Sequence, residues 1–246
     1  MTIVTLLTDF GTADSYVAEM KGVLLSRRAD LTLVDISHEV PPGDVRAGQY
    51  LLSRAWRHFP RGTIHLAIVD PGVGTERRVV AGASEGHRFL APDNGLLSFL
   101  PPDVHLVSLP VPVDASATFH GRDVLAPAAA TLAAGDPIDA LGTRIAHPVR
   151  LPLPVPRHDG TGVVGEVIYV DRFGTLISNI LPSAVEPGVR IRLGDVDVGP
   201  LLRTFADAPR GALVAFPGSG ETVEIAVRDG SAARLLGVGV GAEVRA

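Results

Sequence analysis

The chain has 246 residues, 46% of them hydrophobic, enough apolar material for one large or two modest domains with their own cores. Its formal charge of -5 argues against a general nucleic-acid or anionic-membrane binder, because both need a clustered positive surface that displaces counterions. With no cysteine, disulfides, thiolate nucleophiles and zinc-cysteine sites are excluded, and Lys21, the sole lysine, is the only residue left for Schiff-base chemistry. This composition fits a reducing compartment, and the cytoplasm is the expected location.

The opening "MTIVTLLTDFG" lacks a basic region and reaches Asp9 after a short apolar run, so it reads as a first strand rather than a signal peptide. No apolar run approaches the roughly 20 residues of a membrane span. Next, "DSYVAEMKGVLL" sets Val17, Met20 and Leu24 on one helical face, with Asp14 expected as the N-cap. The runs "TIVTLL" and "LTLVDI" flank that helix in a βαβ pattern. "TIHLAIV", "RVVAGA" and "VHLVSL" continue the series, rich in Val, Ile, Leu and Thr, as expected of strands buried on both faces of a mostly parallel sheet. In "HGRDVLAPAAATLAAG" a further helix is predicted, with Pro127 in its first turn and Gly135 beyond its end. Residues 1–147 therefore read as an α/β N-terminal domain with a mostly parallel sheet.

Pro148, Pro152, Pro154 and Pro156 then interrupt regular ladders, and residues 148–160 read as an extended linker. From 161 to 246 the pattern changes to short alternating runs separated by turns: "GEVIYVDRFGTLISNI", "VRIRLGDVDVG", "GALVAFPGSGETVEIAVRDG" and "GAEVRA". This predicts a smaller antiparallel β domain.

Three of the N-terminal runs end in carboxylates, at Asp9, Asp35 and Asp70. If those strands are parallel the three gather at one sheet edge, and the carboxyl edge of an open α/β sheet is where ligands bind. An Asp after a strand also serves as a turn former or helix cap, so each keeps that plainer reading. The glycine-rich "VDPGVGTERR" has neither a Walker lysine nor G-x-G-x-x-G, which argues against a phosphate cradle; a structural turn with solvated arginines competes with a site there. A second polar knot, His120, Arg122 and Asp123, stands at another strand-to-helix crossing. His120 is the leading candidate for proton transfer.

Taken in order, "LLTDFGTADSYVAEMKGVL", "DISHEVPPGDVRAGQYLL", "VDPGVGTERR", "APDNGLLSFL", "FHGRDVLAPAAA", "DRFGTLISNI" and "SGETVEIAVRDGSAA" resemble the S-adenosyl-L-methionine (SAM) hydrolases that form adenosine. These are the SAM hydroxide adenosyltransferases, relatives of the fluorinase and chlorinase enzymes, and the similarity spans nearly the whole chain. The resemblance implies a C-terminal β-barrel and a homotrimer that binds SAM between the N-domain of one subunit and the C-domain of the next. It places the family's catalytic Asp, Arg and His on Asp70, Arg77 and His120, a triad that the halogenating relatives lack. It also implies substrate-binding roles for Asp9 at the ribose hydroxyls, Asp171 and Ser219 at the methionine end, and Glu224 and Val227 around adenine, with Gly121 beside the catalytic histidine. Departures from the family pattern are Thr175 for a common Asn, Gly43 for a frequent aromatic, and Arg228 for a frequent Asn.

The implied function is hydrolysis of SAM to adenosine and methionine without a cofactor or metal, SAM being the substrate. No nucleic-acid or membrane partner is expected. Competing readings are a non-catalytic SAM or adenosine sensor that keeps the pocket but not turnover, and a SAM-dependent halogenase. A metal-assisted hydrolase built from His38, His65 and His87 with Asp9, Asp35 and Asp70 is disfavoured, since no zinc-hydrolase histidine spacing occurs.

Overall fold

The computed structural model describes residues 1–160 and 162–246, in two units, Met1–Pro152 and Leu153–Ala246. In the first unit the elements are β1 (Ile3–Thr8), α1 (Tyr16–Arg27), β2 (Thr32–Ser37), α2 (Val45–Ala55), β3 (Ile64–Ile68), β4 (Val79–Ser84), β5 (His87–Pro92), β6 (His105–Leu109), α3 (Ala126–Ala134) and β7 (Thr143–Arg144). They form a seven-stranded sheet in the order β2-β1-β3-β5-β4-β6-β7.

The sheet is mixed where a mostly parallel one was expected. Strands β2, β1, β3 and β5 are mutually parallel, whereas β4 pairs antiparallel with β5 and β6, and β6 with β7. The cause is local. Glu85 and Gly86, with φ of 51° and 85°, make a two-residue turn that folds β4 straight back onto β5, and a parallel return would need a crossover of a dozen or more residues.

Helix α1 begins at Tyr16, one residue later than an Asp14 cap would set it. Ser15 is the N-cap, and its hydroxyl donates to Glu19 instead of capping the backbone. The buried face is the expected one, Val17, Met20 and Leu24. It packs with Leu125, Ala129 and Leu132 onto Val4, Leu6, Ile64, Leu66 and Ile68. The alternate residues of the same strands, Thr5, His65 and Phe89, lie side by side in register on the opposite face, where Trp56 meets His87 and Phe89 edge-on.

The Pro-rich segment is held by arginines as far as residue 152. Arg78 donates to the His147 carbonyl at 2.6 Å and Arg46 to that of Pro152 at 2.9 Å, while Arg150 donates to the carbonyls of Ser98, Leu100 and Pro101. These residues belong to the first unit.

The second unit contains β8 (Arg157–His158), β9 (Val163–Val170), β10 (Leu176–Ser178), β11 (Arg190–Leu193), β12 (Val196–Pro200), β13 (Leu213–Pro217), β14 (Val223–Val227), α4 (Ala232–Leu236) and β15 (Glu243–Arg245). Its strands pair antiparallel in the order β12-β11-β15-β9-β10-β14-β13, with β8 on β9. Just beyond β12 the chain bonds to β13, Leu202 N–H donating to the Ala215 carbonyl at 2.8 Å, so the sheet curls into a nearly closed barrel. Val167, Leu176, Ile191, Ala215, Ile225 and Val244 fill its core. Among the described residues no helix is long and apolar enough to cross a membrane.

Candidate active site

Sheet order places the chemistry of the first unit. Strands β3 and β4 both border β5, so the loop from β3 to β4, residues 69–78, must cross the end of β5. Asp70 begins that crossing and Arg77 nearly ends it. The side chains meet in a bidentate pair: Arg77 Nε donates to Asp70 Oδ1 at 2.8 Å, and Nη2 donates to Oδ2. Both are enclosed, with side-chain exposure of 10% for Arg77 and 6% for Asp70.

His120 reaches the same point from the other side of the sheet edge. It precedes a π-helical turn, Gly121–Leu125, that leads into α3. Such turns bulge the backbone and re-aim side chains. A Cβ at Gly121 would lie 2.9 Å from Ile68 Cδ1 and 3.3 Å from Met20 Sδ, side-chain ends that would have to shift to admit it. In place, His120 Nδ1 sits 3.0 Å from Arg77 Nη2. A guanidinium only donates, so Nδ1 is the acceptor and the imidazole proton sits on Nε2. Burial, followed by the nearby Arg77 charge, lowers the His120 pKa below its ordinary value and favours this neutral form.

The third guanidinium nitrogen, Arg77 Nη1, is buried and meets no hydrogen-bond acceptor among the described residues. A charged donor kept from water without a partner is costly.

Asp9 lies at the same carboxyl edge, just beyond β1. Its Oδ2 accepts from the Gly43 N–H at 2.8 Å, and Gly43 has φ of 74°, a left-handed conformation that an aromatic residue adopts only with strain. The departure at 43 thus suits a left-handed turn whose backbone N–H donates to Asp9. Phe10, Tyr16 and Phe119 form an edge-to-face cluster beside Asp9 and His120, with ring centroids 5.4–5.9 Å apart.

Asp35 does not join this edge. It lies inside β2, paired with Leu6, because β2 runs on through a register shift to Ser37. Its carboxylate bonds Lys21 at 2.7 Å and lies 3.2 Å from His38 Nε2. Of the histidines of the disfavoured metal reading, His38 bonds Thr8, and His65 bonds Thr5 and His87 on the face away from α1.

In the second unit the candidates lie on turns and on one strand. Asp171 folds into its own turn, Oδ1 accepting from the N–H groups of Phe173 at 2.9 Å and Thr175 at 2.8 Å, with Phe173 left 75% exposed beside it. Ser219 sits in the turn between β13 and β14. Glu224 is half-buried on β14 opposite Phe216, and Val227 ends that strand opposite Leu213. Arg228 donates to the carbonyls of Ala206 and Ala208, so this departure staples a neighbouring turn.

Comparison with known proteins bears on both units. The family model for the SAM hydroxide adenosyltransferase N-terminal domain matches residues 4–142, and that for the C-terminal domain matches residues 165–245. The chain is 41% identical to a curated (R)-S-adenosyl-L-methionine hydrolase of Thermus thermophilus over 97% of each chain. It is 33% identical to a fluorinase of Nocardia brasiliensis over 87% of this chain and 86% of that one. A crystal structure of an uncharacterized conserved protein from Thermotoga maritima superposes with a TM-score of 0.90 at 33% identity, covering 98% of this chain and 99% of the other.

Proposed function

The chain belongs to the SAM hydroxide adenosyltransferase family, and from that premise we propose that it hydrolyses SAM to adenosine and L-methionine with Asp70, Arg77 and His120 as its catalytic residues. The observation that supports this most is that Arg77 joins the other two, bonding the Asp70 carboxylate and His120 Nδ1 at once.

SAM carries a sulfonium, a leaving group that departs as a neutral thioether. A water oxygen attacks the ribose C5′; the C5′–S bond breaks and its electron pair goes to sulfur, while the water loses a proton. Bringing a hydroxide-like oxygen onto a cation annihilates charge, so enclosure from bulk water favours the reaction. The obstacle is the water's pKa of about 15.7 in bulk. Arg77 fixes the Asp70 carboxylate and supplies positive potential toward the developing oxyanion, a preorganised charge of the kind that dominates many such barriers.

The hydrogen bonds divide the remaining work. With its Nδ1 accepting from Arg77, His120 offers only the Nε2 proton, so it orients the water's oxygen by donation. Asp70 is then the proton acceptor: its oxygens take one bond each from Arg77 and keep further lone pairs. Asp9 grips the ribose hydroxyls beside Gly121, and Asp171, Ser219, Glu224 and Val227 hold the methionine end and adenine. The resemblance to the family implies a homotrimer that brings the N-domain of one subunit to the C-domain of the next and completes the site, acting in the cytoplasm without a cofactor.

Chromatography of SAM incubated with the protein tests this, with and without chloride. Adenosine and methionine in equal amounts are expected whether or not halide is present. SAM left intact on the protein would favour a sensor, and a 5′-halonucleoside would favour a halogenase. Sedimentation of a fully active monomer would overturn the shared site.

A further inference from the structure

The loop that carries Asp70 and Arg77 is gripped at both feet by two consecutive residues, Asp93 and Asn94, that follow β5. Asn94 Nδ2 donates to the carbonyl of Val69, immediately before Asp70, at 2.8 Å. Its Oδ1 accepts from Leu96 N–H at 3.2 Å, which fixes the amide so that its donor faces Val69. At the other foot Asp93 N–H donates to the Arg78 carbonyl at 2.9 Å, and Arg78 Nε donates to Asp93 Oδ2 at 2.7 Å, immediately after Arg77. Asp93 is itself held: its side chain is 4% exposed, and Oδ1 accepts from Val149 N–H at 2.9 Å.

The topology explains why these residues fall there. A loop joining the two neighbours of β5 passes over the end of β5, so whatever follows β5 lies beneath it. The loop's interior contributes short turn contacts of its own, Thr75 Oγ1 donating to the Gly72 carbonyl at 2.7 Å and accepting from Arg77 N–H at 3.3 Å. Those contacts shape the loop but do not fix it to the sheet.

We propose that Asn94 and Asp93 are positioning residues that set the Asp70–Arg77 pair against His120 by clamping both ends of the crossing loop. The inference rests on the catalytic reading of Asp70 and Arg77. A misplacement of about 1 Å at a reacting pair costs up to roughly 100-fold in rate, and a loop released at one foot shifts the pair without altering the groups that hold SAM.

Steady-state kinetics on SAM, with calorimetry of adenosine binding, separates this from general loosening. Asn94→Ala is expected to lower kcat by about 10- to 100-fold, with KM and adenosine affinity within about two-fold of wild type. Asp93→Asn is expected to lower kcat less, since the backbone bond from Asp93 to Arg78 survives. Ser98→Ala removes the acceptor for Leu151 N–H on the same rim, away from the loop, and leaves kcat unchanged. Unchanged kcat in Asn94→Ala, parallel changes in kcat and KM, or an equal loss in Ser98→Ala would overturn the proposal. If Asn94→Ala does not fold, the same split in Asp93→Asn decides. An Asp70→Asn variant as active as wild type would instead strike down the site reading itself, whatever Asn94 does.

Discussion

The two sets of candidate residues are built differently. Asp70, Arg77 and His120 in the first unit have enclosed side chains that meet at Arg77, and they stand on segments at a sheet edge. Asp171, Ser219, Glu224 and Val227 in the second unit lie on turns and a strand of a barrel-like sheet, and Asp171 spends one oxygen on its own turn. Groups that change a barrier must be oriented before substrate arrives, because their value lies in not reorganising during the reaction. Groups that only hold a substrate are completed by it. The difference teaches that effects on kcat should gather at Asp70, Arg77 and His120, and effects on KM at the second unit's candidates and Asp9.

The largest effect is expected from Asp70→Asn, which keeps the shape of the side chain and removes the charge paired with Arg77. Loss of the proton acceptor lowers kcat by about 10²- to 10⁴-fold, and the enclosed guanidinium left behind lowers thermal stability as well. Steady-state rates and a melting curve check both. A variant with unimpaired kcat would dissolve the division between the units at once.

His120→Ala is expected to cost about 100-fold in kcat/KM and to change its pH profile. Burial and Arg77 lower the folded pKa of His120, so the imidazole stays neutral at and above pH 6.5, and activity falls only as the pH drops below that value. This acid limb should disappear in His120→Ala. Its persistence would assign the limb to another group.

Asp171→Ser sharpens the comparison from the other side. Serine can still close a turn of this kind with its hydroxyl, more weakly, but carries no charge. KM for SAM should rise about ten-fold, close to the loss of one charged hydrogen bond, with kcat nearly unchanged. A fall in kcat as large as that of Asp70→Asn would place this residue in the chemistry.

The smallest effect is one on stability, silent at neutral pH. Burial, together with His87, lowers His65 to a pKa of about 3 from its ordinary 6.5. The unfolded chain therefore binds a proton that the folded one refuses, so stability is complete above pH 6.5 and is lost progressively as the pH falls toward 3. Acid should unfold the first unit ahead of the second, and His65→Leu, which also leaves Thr5 and His87 without this partner, should flatten that pH dependence. Hydrogen exchange resolved by unit between pH 7 and 4 reads the order.

Sequence carried much of this architecture. Apolar runs marked β1, β2, β3, β4 and β6, and the turn-separated runs marked the second unit, because buried strands and antiparallel hairpins leave short-range patterns. Strand β5 was missed: "HRFLAP" is short, carries His and Arg, and follows an Glu-Gly turn that lacks the Asn-Gly signal. With β5 went the antiparallel half of the sheet. Asp35 looked like the end of a strand, but register is a property of pairs, and the shift in β2 that keeps it inside the strand leaves no trace in one sequence.

The site was legible only in pieces. Asp70 and Arg77 stand seven residues apart in a glycine-rich run, but 43 residues separate Arg77 from His120, and only the likeness to a family joined them. Asn94 stood inside a quoted motif with no role to suggest, since a side chain that bonds a carbonyl 25 residues away has no local pattern.

The account stands most directly on one measurement: mass spectrometry of the products formed from SAM in ¹⁸O-labelled water by the wild-type protein and by Asp70→Asn. Attack of water at C5′ predicts ¹⁸O in the 5′-hydroxyl of adenosine, unlabelled methionine, and formation of both sharply slowed in the variant. Adenosine without the label, or labelled adenosine formed equally fast by Asp70→Asn, would contradict it.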